Sequence, residues 1–147
     1  MSKIAFIFPG QGSQSVGMGK DLVLNFKIAA QVFEEASDAI GVDLKKISFE
    51  GPEDELNLTA NTQPAILTAS IAALEVLKAE TELHADLLAG HSLGEYTALV
   101  HSGAFAFTDA VKIVRRRGEF MQAAVPGGEG AMAAILGMEK SEVADVC

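Results

Sequence analysis

Short apolar runs closed by glycine or proline alternate with longer stretches of helical period along this chain, the pattern of an α/β fold with a parallel sheet. The first run, Lys3 to Phe8, is apolar after the lysine and ends at Pro9-Gly10, as a buried parallel strand would. Gln11-Gly12-Ser13-Gln14 follows as a polar loop at the strand's C-terminal end, the edge of an α/β sheet where ligands bind. Phe26 to Ile40 reads as a helix, and Gly41 suits its stop. Gly51-Pro52-Glu53-Asp54 predicts a turn, and Leu56 to Thr62 reads as polar and irregular. Pro64 to Lys78 predicts a helix that is apolar on almost every side and therefore buried. Asp86 to Ala89 is long enough for a second short strand, and Leu93 to Val100 suits a helix ending near Ser102-Gly103. Thr108-Asp109 can cap a helix over Ala110 to Ala124. Val125 to Gly130 reads as a linker, Ala131 to Leu136 as a third apolar run, and Ser141 as the cap of a last helix barely begun at Cys147.

Only three strands are legible, and the third follows the linker. Two strands do not make the covered sheet that these helices need. The expectation is therefore the N-terminal part of something longer, divided into 1–125 and 126–147; a small complete domain is the alternative.

Composition narrows the class. The chain has 147 residues, 49% hydrophobic and 21% charged, which suits one globular domain. A net charge of −9 argues against nucleic acid as a partner. The single cysteine, Cys147, excludes an internal disulfide and fits a reducing compartment. The N-terminal apolar stretch is too short for a signal peptide, and Pro64 to Leu77 falls short of the ~20 residues of a membrane span. The composition thus predicts a soluble cytoplasmic protein with no membrane partner. No Cys/His cluster has ligand spacing, so neither a metal nor another cofactor is expected.

The chemistry concentrates in Gly90-His91-Ser92-Leu93-Gly94, a G-x-S-x-G pattern with a strand before it and a helix after it. That context makes it a nucleophile elbow. Small residues on both sides of the serine let strand and helix approach closely and leave Ser92 at the tip. The helix that starts there aims its N–H groups and positive end at the same spot, where an anionic intermediate would be stabilised. The alternative is a glycine-rich turn with an incidental serine.

A second clue lies in Ala110 to Ala124. On a helical wheel Ala110, Ile113, Val114, Phe120, Met121 and Ala124 form one stripe, with Lys112, Arg115, Glu119 and Gln122 opposite. Arg117 falls inside the apolar stripe, Arg115 on the wet face and Arg116 at the border. A buried guanidinium needs a partner, and its planar fork suits a carboxylate. Arg117 therefore pairs with an internal Asp or Glu, or it awaits an anionic ligand.

Four segments together resemble one family: Phe8-Pro9-Gly10-Gln11-Gly12-Ser13-Gln14, Asn61-Thr62-Gln63-Pro64-Ala65, Gly90-His91-Ser92-Leu93-Gly94-Glu95 and Arg117-Gly118-Glu119-Phe120-Met121-Gln122. The sequence resembles malonyl-CoA:acyl carrier protein transacylases of bacterial fatty acid synthesis, with the acyltransferase domains of polyketide synthases as close relatives. The resemblance spans the chain. It implies a hydrolase-like large subdomain of parallel sheet and flanking helices, followed by a small ferredoxin-like subdomain of which 126–147 is only the start. It implies that Ser92 takes the malonyl group as an ester and that the N–H groups of Gln11 and Leu93 hold the oxyanion. It implies that Arg117 pairs with malonate's free carboxylate and that Met121 lines the pocket. Leu93 resembles malonyl-selective rather than methylmalonyl-selective members. Malonyl-CoA, coenzyme A and acyl carrier protein are the implied partners, in a ping-pong transfer.

The family's general-base histidine lies beyond the end of this chain. His91 sits beside Ser92 in a sharp turn, where its ring would point away from the hydroxyl. His101 is about 13 Å along the elbow helix, and His84 lies at the wrong end of the strand. None of the three is a credible base. Two other readings stay open: a serine esterase of the α/β-hydrolase type, and an inactive N-terminal fragment that at most binds a carrier protein or its own missing half.

Overall fold

The computed structural model describes residues 3–125 and 137–146. The expected linker and the third strand, Ala131 to Leu136, lie outside the described residues. Strand β1 (Ala5–Phe8) pairs in parallel with β2 (Leu87–Gly90), in a register that sets Ala5 opposite Leu87 and Phe8 opposite Gly90. The Ile4 N–H donates to Asp86 Oδ2 at 2.9 Å and the Asp86 N–H to the Ile4 carbonyl at 2.8 Å, fixing the start of the ladder. The His91 N–H donates to the Phe8 carbonyl at 3.2 Å and carries the pairing past β2 toward the elbow.

Eight helices are described: α1 (Lys20–Asn25), α2 (Lys27–Ile40), α3 (Leu44–Glu50), α4 (Glu53–Asn57), α5 (Thr59–Glu80), α6 (Leu93–His101), α7 (Phe107–Ala124) and α8 (Lys140–Val146). The result is a mixed α/β arrangement with a small parallel sheet and many helices. The sheet is not buried on both faces as its composition suggested. Phe8 is buried and Phe6 packs against the core, whereas Ile7 is 78% and Leu87 58% exposed. Successive strand residues point to opposite faces, and among the described residues the core covers only the Phe6/Phe8 side.

Helix α5 is the axis of the fold, packed between α2 and α7 and buried along most of its length. Phe33, Leu44, Leu56, Leu67, Leu93, Val111 and Val114 are fully buried around it. Its start corrects the reading of Leu56 to Thr62 as irregular: Glu53–Asn57 is helical, and α5 begins at Thr59 rather than Pro64. The polar side chains build that start. Thr62 Oγ1 donates to the Leu56 carbonyl at 2.6 Å, and Asn61 Nδ2 donates to the Glu55 carbonyl at 2.8 Å. Carbonyls that the break between α4 and α5 would leave unpaired are thereby satisfied.

Helices α1, α3 and α4 add to the elements that periodicity suggests. Asp43 accepts from the Lys46 N–H at 2.9 Å and caps α3. The turn at Gly51-Pro52 continues directly into α4, whose first turn carries Glu53, Asp54 and Glu55 at the positive end of the helix. At α7, Ala106 rather than Thr108 or Asp109 occupies the cap position, with no side-chain bond. At α8, Ser141 lies inside the helix, and the Glu142 carboxylate accepts from the Glu139 N–H at 3.0 Å.

The buried face of α7 also differs from the wheel. Ala110, Val111, Val114 and Gly118 face the core, while Ile113, Met121 and Phe120 are 41%, 37% and 64% exposed. Gly118 explains the roll. A Cβ there would stand 2.6 Å from the Thr59 carbonyl oxygen and 2.7 Å from Ala60 Cα, so only glycine lets the helix seat on the first turn of α5. Close backbone approach wins over burial of the larger side chains.

Candidate active site

The elbow forms at the junction of β2 and α6, and its glycines are required by contact. A Cβ on Gly90 would run into the Gly94 carbonyl, and one on Gly94 into the Phe8 carbonyl. Ser92 occupies the cap position of α6 at φ 53°, ψ −99°, the only non-glycine residue with positive φ among those described. That ψ lies outside the ordinary left-handed basin, so the backbone is strained at this serine. Ser92 is exposed; Leu93, directly after it, is fully buried and anchors α6 in the core.

The loop after β1 lies against this turn. A Cβ on Gly10 would stand 2.5 Å from the His91 carbonyl oxygen and 2.8 Å from His91 Nδ1. Gln11 Nε2 donates to Thr59 Oγ1 at 3.2 Å, and Gln14 ties the loop down by accepting from the Gly12 N–H at 2.8 Å and donating to Asn57 Oδ1 at 2.8 Å. Among the described residues the backbone N–H groups of Gln11 and Leu93 donate to no protein acceptor. Gln11 is exposed, whereas Leu93 is fully buried.

Arg117 completes the cluster. Its Nη2 donates to Ser92 Oγ at 2.9 Å and its Nη1 to Gln63 Oε1 at 2.6 Å, and its guanidinium carbon stands 5.8 Å from the centre of the Tyr96 ring. It is half-buried, and among the described residues no Asp or Glu pairs with it. Of the two readings of its position, the internal ion pair finds no partner among the described residues. Arg115 is the residue the wheel misplaced. It is no wet-face group: its side chain is 25% exposed, with Nε on Glu119 Oε1 at 3.1 Å and Nη1 on the Ala60 carbonyl at 3.0 Å and on Asn61 Oδ1. Arg116 is exposed, pairs with Glu119 Oε2 at 2.9 Å and stands over the Phe120 ring. The hydrogen bond from Arg116 holds the Glu119 carboxyl below its usual range, opposed by burial and aided to a lesser degree by the hydrogen bond from Arg115.

Gln63 is the site residue that sequence reasoning passed over, although it stands inside a quoted motif. It is fully buried, with its Oε1 on Arg117 and its Nε2 donating to Met121 Sδ at 3.3 Å. The available signal was an amide placed directly before the apolar run that begins at Pro64, because a buried polar group must have partners. Tyr96 was likewise missed; it lies one turn along α6 from Ser92, on the side that Arg117 meets.

None of the chain's histidines bonds to Ser92 among the described residues. His91 turns its Nδ1 toward Gly10, and His84 is exposed. His101 lies against Phe6 and Phe8, with centroid distances of 5.6 and 6.2 Å. Burial, with help from Lys78 and opposed by Glu75, pushes its pKa below 6.5. Among the described residues no group of three or more His, Cys, Asp or Glu could hold a metal ion, and no helix is long and apolar enough to cross a membrane.

A strained, exposed serine at a strand-to-helix turn, the loop after β1 lying against that turn and a guanidinium at the serine hydroxyl come together at one place in the fold. The acyl transferase domain family matches residues 5–146, and the chain belongs to that family. Its relatives include the malonyl CoA-acyl carrier protein transacylase of Bacillus subtilis (strain 168), 57% identical over 146 residues, covering 99% of this chain and 46% of that protein. The protein of the same name from Escherichia coli (strain K12) is 50% identical over 147 residues, covering 100% and 48%. A solved structure of the malonyl CoA-acyl carrier protein transacylase from Coxiella burnetii superposes with a TM-score of 0.93 at 47% identity, covering 99% of this chain and 46% of that one. A type II PKS acyl-carrier protein in complex with its malonyl-transacylase gives a TM-score of 0.83 at 50% identity, covering 86% and 41%. The chain spans about half the length of the curated relatives it matches.

Proposed function

We propose that this chain carries the nucleophile and carboxylate-binding part of a malonyl-CoA:acyl carrier protein transacylase. The observation that carries the reading is the guanidinium of Arg117 at 2.9 Å from Ser92 Oγ, with no protein carboxylate to neutralise it among the described residues. An acyl group held on Ser92 with its own carboxylate two carbons from the ester oxygen would meet that guanidinium directly. Acetyl offers nothing to it, and a plain esterase has no use for it.

The steps follow from these groups. The malonate carboxylate takes Arg117 in a fork-to-fork pair, drawing the guanidinium off the Ser92 hydroxyl. Ser92 Oγ attacks the thioester carbon of malonyl-CoA; the C–O bond forms while the hydroxyl proton passes to a general base. The Gln11 and Leu93 N–H groups receive the oxyanion at the positive end of α6. The C–S bond breaks, and coenzyme A leaves as thiol with the proton returned. The phosphopantetheine thiol of acyl carrier protein then attacks the malonyl-serine ester and reverses the sequence. Met121, tied to Gln63, lines the acyl pocket. The base belongs to the half of the family's length that this chain does not span. The same reading makes 1–125 part of a hydrolase-like subdomain and 126–147 the beginning of a ferredoxin-like one, in a cytoplasmic enzyme of fatty acid synthesis without cofactor.

Intact-protein mass spectrometry after mixing with malonyl-CoA tests the nucleophile. The expected result is one malonyl group, absent in Ser92→Ala. Malonyl retained covalently by Ser92→Ala would refute the assignment. A wild-type chain that stays unmodified would mean that it lacks the base, the fold, or both.

A further inference from the structure

We infer that Arg115 is a positioning residue for Arg117, acting through the first turns of α5 in place of a backbone bond that Pro64 removes. The inference rests on the reading of Arg117 as the carboxylate-binding group.

Pro64 stands inside α5, five residues after its first residue, Thr59. Proline has no N–H, and its ring crowds the carbonyl four residues back. The carbonyl deprived of its helical donor is that of Ala60, at the half-buried front of α5. Arg115 Nη1 donates to that oxygen at 3.0 Å, and to Asn61 Oδ1 as well. Asn61 is held the right way round for this, because its Nδ2 donates to the Glu55 carbonyl at 2.8 Å. Arg115 itself is fixed by its Nε on Glu119 Oε1 at 3.1 Å. The guanidinium thus replaces the missing N–H and binds α7 to the front of α5. Gly118 brings the two backbones together at the same place.

Three residues beyond Ala60 is Gln63, whose Oε1 receives Arg117 Nη1 at 2.6 Å. The direction of the Gln63 side chain depends on the path of the turn around Ala60, since the amide is fully buried and has no slack to follow a displaced backbone. Arg115 and Arg117 lie two positions apart on α7 and point to different sides of it. The first holds the turn that carries Gln63; the second uses Gln63 as its stop. Without Arg115 the Ala60 carbonyl is left short of a donor, the turn opens toward water, and Arg117 loses the oxygen that sets its fork toward Ser92.

The test is a double-mutant cycle with Pro64→Ala, which returns an N–H to position 64 and makes Arg115 redundant as donor. Side-chain nitrogen NMR of Arg117 reads the positioning on the unliganded chain. In the wild type its Nη1 and Nη2 signals should be separate, because both groups are hydrogen-bonded and the guanidinium rotates slowly. Arg115→Ala should merge them, and Pro64→Ala/Arg115→Ala should separate them again. Calorimetric affinity should follow: malonyl-CoA binding weaker by about tenfold in Arg115→Ala, acetyl-CoA binding unchanged, and malonyl-CoA affinity restored in the double variant, the scale of one charge-assisted hydrogen bond partly lost. Unchanged Arg117 signals in Arg115→Ala, or signals that Pro64→Ala fails to restore, overturn the inference. If Arg115→Ala does not fold, Pro64→Ala with and without Arg115 carries the same test; disordering of Arg117 in the double variant alone refutes it. A wild type that shows the ordered Arg117 but does not prefer malonyl-CoA would instead refute the carboxylate-binding reading on which the inference rests.

Discussion

The strain at Ser92 is measurable by comparing two variants that both lack the hydroxyl. Ser92→Ala and Ser92→Gly equally remove the bond from Arg117 Nη2. They differ only in the Cβ, which is what makes φ 53°, ψ −99° unfavourable. Holding a non-glycine residue in such a region costs about 1–3 kcal/mol. Glycine gives back about 0.4–1 kcal/mol through its greater freedom in the unfolded chain. The ψ value departs from the left-handed basin, which places the strain in the upper part of its range. Ser92→Gly should therefore be more stable than Ser92→Ala by about 1–2 kcal/mol, or about 2–8 °C in midpoint for a chain of this size. Urea unfolding of the two proteins side by side, with equal m values, gives the difference directly. Equal stability, or an alanine variant more stable than the glycine one, would show that the elbow is unstrained. The glycines at 90 and 94 would then be the whole of its sequence requirement.

Arg117→Ala should lower malonyl transfer by about 100-fold, the scale of a lost bidentate pair, while acetyl transfer changes by less than about threefold; parallel losses measured with the two thioesters would remove the carboxylate role. The pH dependence of stability tests His101, whose depressed pKa arises first from burial against Phe6 and Phe8, then from Lys78, with Glu75 opposing. The unfolded chain binds that proton more readily than the folded one, so the contribution of His101 is complete above pH 6.5 and is lost as pH falls from there through the lower folded value. Thermal melts from about pH 7.5 to about pH 5.5 should show the loss, and His101→Phe should flatten it; an unchanged slope in the variant would assign the effect to other groups.

The elements that were legible in the sequence are those specified by local chemistry. The Gly90–Gly94 spacing located the elbow because steric exclusion leaves no other residue at either position. Gly41, at φ 66°, ended α2 as expected. The parallel pairing of β1 with β2 followed from apolar runs separated by helices. What periodicity missed was set at longer range. The start of α5 looked irregular because Asn61 and Thr62 are polar, yet those side chains satisfy carbonyls six residues back. The wheel of α7 gave Arg117 its place beside Ile113 and Met121, but of its stripe only Ala110 and Val114 are buried among the described residues. It weighed side-chain size and could not weigh the backbone approach at Gly118. Arg115 was misplaced with it, since its partners on Ala60 and Asn61 are more than fifty positions away in the chain.

Glutamine at position 63, rather than glutamate, leaves the Arg117 guanidinium without a counter-charge at its Nη1. A carboxylate in that buried place would form an internal ion pair with the guanidinium, and an anionic ligand would have to compete with it. The neutral amide fixes the same Nη1 without cancelling the charge. Ser92 Oγ is an equally neutral acceptor for Nη2, and Tyr96 offers only the face of its ring. The cation is thus oriented by three neutral groups and half removed from water, an arrangement in which a carboxylate from outside gains more than it would at a solvated surface arginine. Glu119, two positions further along the same helix, points to a different side of it from Arg117, and Arg115 and Arg116 engage both of its oxygens. The three consecutive arginines therefore divide the work. Arg115 and Arg116 hold Glu119, and Arg117 keeps a charge that the proposed function assigns to a ligand at Ser92.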